Sequence, residues 1–195
     1  LSIAIMAHPS RTGYVAELHK ALGPVPVAWH DGPDATRTDH LPIWRTRRAA
    51  LLLADPAADF HCLLQDDAIP TADFRARAEA LVDQHGDRLY ALFYRRTPRL
   101  PEVHQVAMRS VRRGWFAARG YIRGVGVVVA TERIPDLVAF GDAIGGHRGD
   151  DYRMKHWAIA RGIETIVPIP SLVDHRPGPS LAGHNGERRA WRFTP

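Results

Sequence analysis

Cysteine is almost missing from these 195 residues: Cys62 stands alone, so no intrachain disulfide can form. Its apolar neighbours in DFHCLLQ mark it as a small core residue of a strand rather than a reactive thiol. Lysine is nearly as scarce. Lys20 and Lys155 are the only lysines among 26 basic side chains, and the rest are arginine. Against 21 acidic residues this gives a formal charge of +5 and a pI near 9.9, which favours anionic partners such as phosphates, nucleic acid or acidic glycans. Biased codon usage on a solvated face produces the same composition. Long apolar runs are absent too, since VGVVVA falls far short of the roughly 20 residues that cross a bilayer as a helix. LSIAIMA has neither the basic start nor the cleavage site of a signal peptide, so the expectation is a cytoplasmic protein with no membrane span. With no internal repeat or linker, the length suits a single domain.

Strand and helix patterns alternate along the chain. LSIAIMAH reads as a strand and SRTGYVAELHKALG as a helix, with Ser10 a candidate cap and Gly23 a stop. VPVAWH is a second strand, and DGPDATRTDH is turn-rich. LPIWRTRRAALLLAD opens a helix at Pro42 whose apolar face runs through Trp44, Leu51 and Leu52. FHCLLQ is a strand, and TADFRARAEALVDQHG a helix with Phe74, Ala78, Leu81 and Val82 on one stripe. RLYALFY, YIRGVGVVVAT and ETIVPIP read as further strands, ERIPDLVAFGDAI and DDYRMKHWAIARG as helices. Between Arg95 and Gly120 no dependable periodicity appears, and HRPGPSLAGHNGERRAWRFTP reads as a loop or tail. The alternation implies an α/β fold with a mostly parallel, Rossmann-like sheet flanked by helices, in which ligands bind beyond the carboxyl ends of strands.

Asp66 and Asp67 lie at such an end, in LLQDDAIP. Adjacent carboxylates repel each other and resist desolvation, so a pair closing an apolar strand calls for a positive partner. Mg²⁺ or Mn²⁺ suits hard oxygen ligands, and such ions take part of their shell from substrate phosphates. An ordinary turn is the alternative, because Asp favours loop entries. The HPSRTG turn, with His8, Ser10 and Arg11 before a helix N-terminus, is a candidate anion site, though not a phosphate-loop signature. Asp31 in WHDG is a candidate for the base or ribose of a nucleotide, or a plain turn residue. Arg45 and Arg48, one helical turn apart, either reach phosphates or line a solvated face.

LLQDDAIP resembles the "LEDD" strand end of small bacterial and phage GT-A-fold glycosyltransferases related to the lipopolysaccharide-modifying family, and HLPIWRTRRAALLLAD resembles the helix before it. The likeness covers most of the chain through a few short motifs, and Gln65 stands where the family often has an acid. It implies one glycosyltransferase domain, with a nucleotide-sugar-binding half over 1–97, an acceptor and catalytic half over 98–170, and a C-terminal loop or lid over 171–195. Asp67 is then the first metal ligand, with Asp66 bridging to ribose or metal. GDDYRMKHWAIARG resembles the acidic helix start of many inverting GT-A enzymes, which implies Asp151 as the base that deprotonates the acceptor hydroxyl, with Asp150 second. An N-cap role explains the same residues. His175, after the last strand, matches the histidine that completes the coordination sphere, and shifts the expected ion toward Mn²⁺. Arg176 and the glycine-rich run to His184 are placed to close over a diphosphate, or form a tail.

The implied activity is metal-dependent transfer from a nucleotide sugar, most often a UDP-sugar, with inversion as the expectation from Asp151. Arg95, Arg96, Arg99, Arg109, Arg112, Arg113, Arg119 and Arg123 interleave with Trp115, Phe116 and Tyr121, a mixture that holds phosphates and stacks on bases. That points to a DNA acceptor, such as a hydroxymethylated pyrimidine of phage DNA whose base leaves the stack to reach Asp151. A surface glycan or protein is the competing acceptor. A non-catalytic nucleic-acid-binding domain is the competing class, and it leaves the four acidic and imidazole groups without a purpose.

Overall fold

The protein is described here by a computed structural model, which covers all residues except 37, 97–99, 179–180 and 182–187. Arg99 and the glycine-rich run ending at His184 therefore lie outside the described residues in whole or part.

Apolar runs in the sequence become the strands of one seven-stranded sheet. β1 (Ser2–Ala7) pairs in parallel with β2 (Val27–Trp29) on one side and β3 (Phe60–Gln65) on the other. β7 (Gly126–Ala130) runs antiparallel between β3 and β5 (Leu89–Ala91). β8 (Thr165–Pro168) follows β5 in parallel, and β6 (Trp115–Ala117) closes the edge in reverse. The order is β2-β1-β3-β7-β5-β8-β6, and five of the seven strands point the same way. Both faces are covered, as continuous rather than alternating hydrophobicity in β3 and β7 requires.

On one face, α1 (Thr12–Leu22) and α3 (Phe74–His85) bury Val15, Leu18, Phe74, Ala78, Leu81 and Val82 against Ile5, Cys62 and Val128. On the other, α2 (Leu41–Leu51), α5 (Ile134–Ala143) and α6 (Asp150–Ala160) pack Trp44, Leu137 and Trp157 against Leu63 and Val127. Burial pushes the Cys62 thiol up to about 12, which keeps it protonated. Both buried indoles find partners: Trp44 Nε1 donates to Asp142 at 2.9 Å and Trp157 Nε1 to Asp136 at 2.7 Å.

Several expectations are corrected. Ser10 does not cap α1; it lies in a 3₁₀ turn over Pro9–Arg11, capped by the His8 side chain. Leu52 falls one residue past α2 and is 57 % exposed, because the helix ends before the stripe comes round again. The stretch without dependable periodicity contains α4 (Pro101–Arg109) and β6. Phe116 and Tyr121 are core residues grouped with Tyr94, so they offer no face to a base.

Asp66 and Asp67 form a turn that leads directly into a further strand. β4 (Ala68–Pro70) pairs antiparallel with β9 (Val173–His175), with Ala68 opposite His175. Arg176 N–H donates to the Asp67 carbonyl at 2.7 Å and carries that ladder one step further. This small second sheet brings two distant segments of sequence to one point. In the tail, residues 188–195 have no regular structure but pack on the domain, with Trp191 edge-on to Tyr94 and His104.

Candidate active site

A cavity of about 810 Å³ opens where β1, β2, β3 and α6 meet. Among the residues lining it are His8, Arg11, His30, Asp34, Asp66, Asp67, Asp150, Asp151 and His175. Ends of parallel strands supply the first of these, as the topology of an open α/β sheet dictates.

The carboxylate pair meets a cation within the chain. Arg11 Nη1 donates to Asp66 Oδ1 at 2.8 Å and to Asp67 Oδ2 at 2.7 Å. His8 N–H donates to Asp66 Oδ2 at 2.8 Å. Burial outweighs these donors and raises the Asp66 pKa above the ordinary carboxylate range. Asp67 keeps one oxygen, Oδ1, sealed from solvent with no hydrogen-bond partner among the described residues. His175 Nε2 stands 3.4 Å from Asp67 Oδ2. Its Nδ1 is 2.7 Å from the Arg176 carbonyl, which can only accept, so the neutral ring carries its proton on Nδ1 and turns the Nε2 lone pair toward Asp67. Asp67 thus has one oxygen without a partner among the described residues, Oδ1, and a second, Oδ2, shared between Arg11 and the imidazole lone pair, a donor set that fits a divalent ion.

Asp150 and Asp151 start α6 and divide into two environments. Asp150 is locked: Arg47 Nε and Nη2 reach its Oδ2 at 2.9 and 2.6 Å, and its Oδ1 accepts from Asp151 N–H at 2.9 Å. Arg47 is fully buried in α2 and also donates to the Gly124 carbonyl at 2.7 Å. Asp151 has no such clamp. Its Oδ1 is sealed without a hydrogen-bonding side chain, and burial, reinforced by the Asp150 charge, pushes its carboxyl up to about 7 despite Arg47 and Arg123. Two adjacent carboxyls thus take different states, one held as an ion pair and one close to neutral pH in its titration. Gly124 makes room for this, since a Cβ there would come 2.5 Å from Arg47 Nη2 and 2.7 Å from Asp151 Oδ1.

Other residues singled out in the sequence lie elsewhere. Ser10 and Asp31 are exposed and do not line the cavity, although Ser10 Oγ meets His8 Nδ1 at 2.7 Å. Arg45 points outward, and Arg48 pairs with Asp142 at 2.8 Å. Arg176 pairs with Glu17 at 2.6 Å and covers the Tyr14 ring. In their place the cavity takes His30, Asp34, Tyr152 and Arg188, which the sequence reading did not assign to a site, and Arg95 and Arg123, which it gave to the acceptor. Arg47 had a signal: it follows Trp44 by three residues on the buried face of α2, whereas Arg45 and Arg48 lie on the outer face.

Among the described residues no helix is long and apolar enough to cross a membrane. No protein-family model and no curated protein sequence matches the chain. Solved structures do. Staphylococcus aureus TarS aligns over 93 % of this chain and 38 % of its own length, with TM-score 0.51 and 11 % identity. The 1–349 part of TarS, in complex with UDP-GlcNAc, aligns over 96 % of this chain and 60 % of that one, at the same TM-score and identity. Drosophila β1,4-galactosyltransferase 7, in complex with manganese, UDP-Gal and xylobiose, aligns over 91 % and 72 % with TM-score 0.48 and 10 % identity. The chain thus spans 38 % and 60 % of these two TarS structures, and the fold it shares with them is the GT-A fold.

Proposed function

We propose that the chain is a metal-dependent glycosyltransferase that moves a sugar from a nucleotide sugar, a UDP-sugar, to a hydroxyl acceptor with inversion. One observation carries the reading. A single cavity of a GT-A fold holds both a carboxylate pair with an imidazole beside it and a separate carboxyl raised to about 7.

An alcohol is a weak nucleophile, so it needs a base within hydrogen-bond reach as it attacks the anomeric carbon. Asp151 takes that proton in the proposed step, and Arg47 holds Asp150 so that the neighbouring carboxyl alone changes state. Asp67 and His175, with Asp66 beside them, would hold Mn²⁺ or Mg²⁺, which when bound supplies positive charge for the departing diphosphate. Arg11, already on the carboxylate pair, is within the same cavity to carry phosphate oxygens. Attack by the hydroxyl opposite the leaving diphosphate inverts the anomeric centre. For the acceptor, Arg95 and Arg123 on the cavity wall support a phosphate-bearing molecule; hydroxymethylated DNA is one instance. With Phe116 and Tyr121 in the core, the DNA reading keeps Arg95 and Arg123 in the cavity but only the half-buried Trp115 of its three aromatics. A surface glycan or protein fits the same chemistry.

The test is nucleotide release over a panel of sugar donors, with Mn²⁺ or chelator, with and without hydroxymethylated DNA. The expected result is donor turnover that needs the metal and vanishes in Asp67→Asn. Turnover indifferent to chelator removes the ion from the reading. Absence of turnover with every donor, together with intact DNA binding, returns the chain to a binding module.

A further inference from the structure

His8, His30 and Asp34 converge at the mouth of the cavity, where the ends of β1 and β2 meet the loop that follows β2. His8 Nε2 is 2.9 Å from Asp34 Oδ1 and His30 Nε2 is 3.8 Å from the same oxygen. The donor atoms of all three residues lie within 4.8 Å of one another. A tetrahedral zinc with ligands at about 2.0–2.1 Å separates its donors by about 3.3 Å, a value these two distances bracket.

The rings agree with this. Two imidazoles on one tetrahedral ion place their centroids about 5.2 Å apart; those of His8 and His30 are 5.3 Å apart, with planes 25° from parallel. Each ring also has a partner that can fix its far nitrogen. With its proton on Nδ1, His30 donates to Thr46 Oγ1 at 3.1 Å, and Thr46 itself donates to the Pro42 carbonyl at 3.2 Å. His30 Nε2 then turns a lone pair toward the Gly32 carbonyl at 3.1 Å and toward Asp34, three acceptors with no proton among them. His8 Nδ1 accepts from Ser10 N–H at 3.2 Å in capping the 3₁₀ turn; with a metal on Nε2 the ring proton would move to Nδ1, where Ser10 Oγ at 2.7 Å can accept it. Such outer partners are what orient histidine ligands.

We propose that His8, His30 and Asp34 form a zinc site separate from the Asp67–His175 pair, with a fourth position open to water. Two imidazoles and one carboxylate select zinc over magnesium or manganese, which prefer oxygen shells. Zinc there clasps the 31–36 loop to the ends of β1 and β2. The proposal goes beyond the glycosyltransferase reading and stands without it.

The probe is cobalt(II), added to metal-stripped protein, with zinc as competitor. Wild type is expected to bind one equivalent with the intense visible bands of four-coordinate cobalt, displaced by zinc, and Asp67→Asn is expected to keep them. His30→Ala and Asp34→Asn are each expected to lose them; the Asp34 side chain is 66 % exposed, so that variant leaves the fold intact, which circular dichroism checks. Only the weak bands of six-coordinate cobalt in wild type, bands that survive in His30→Ala and Asp34→Asn, or bands lost in Asp67→Asn would overturn the site. The first of these would leave His8 as a simple hydrogen-bond donor to Asp34.

Discussion

At the scale of single residues, the difference between Asp150 and Asp151 matters most. They are neighbours at the start of α6 with the same side chain, yet one is clamped by Arg47 and the other lines the cavity with one oxygen, Oδ1, shielded from solvent. Asp151→Asn keeps the shape and removes the proposed base, so on that proposal kcat is expected to fall by about 10²–10⁴-fold, while donor binding by calorimetry stays within error. Because the reactive form is the ionised one, kcat/KM is expected to fall on the acid side of about 7. Stability runs the other way. The folded-state pKa of Asp151 lies above its unfolded value, so the folded state holds the proton more tightly; its contribution is fully present below about pH 4 and is lost as pH rises toward 7. Chemical denaturation from pH 4 to 8 is expected to show that slope in wild type and a shallower one in Asp151→Asn. Asp150→Asn leaves a buried guanidinium without its counter-charge and is expected to cost about 3–5 kcal/mol, read as a lower denaturation midpoint.

Elements set how closely these groups approach. α5 crosses α2 at Gly141, where a Cβ would come 2.2 Å from Trp44 Cζ2, and Arg153 of α6 ties the same turn by donating to the Gly141 carbonyl. Gly141→Ala is therefore expected to force Trp44 aside, destabilise by about 1–3 kcal/mol and shift Arg47, three residues along the same helix face. Thermal unfolding and the pH profile of activity check both parts. The longer elements were legible because their apolar residues repeat: β1, β3 and β7 as continuous runs, α3 as a stripe through Phe74, Ala78, Leu81 and Val82. β4 and β9 were not, since three residues give no period, and their existence depends on each other. α4 was hidden because its nine residues bury only Ala107 and leave Val106 and Met108 exposed, although Pro101 at its first turn is an ordinary helix-start signal.

Across the whole molecule, the last eight residues brace the proposed metal ligand. Ala190 N–H and Arg189 Nη2 bind the two oxygens of buried Asp174, at 2.6 and 2.8 Å, and Asp174 Oδ1 also accepts from His175 N–H at 2.8 Å. Trp191 N–H donates to the Tyr94 carbonyl and Ser171 N–H to that of Arg192, both at 2.8 Å. Removing residues 188–195 is expected to cost about 1–3 kcal/mol, since Asp174 loses its partners. Manganese affinity by titration is expected to fall with it, because His175 loses its anchor.

Residues alone determined the strand and helix alternation, the carboxylate pair at the end of β3 and the acidic start of α6, because these depend on local periodicity and on neighbours in the chain. Only the tertiary structure decided which charges meet. Arg11 rather than Arg45 or Arg48 reaches Asp66 and Asp67, Arg47 rather than either takes Asp150, and His175 arrives beside Asp67 through the pairing of β4 with β9. The physical reason is that a side chain's direction follows from helix phase and sheet register, and a carboxyl's pKa from how much water the completed fold leaves around it.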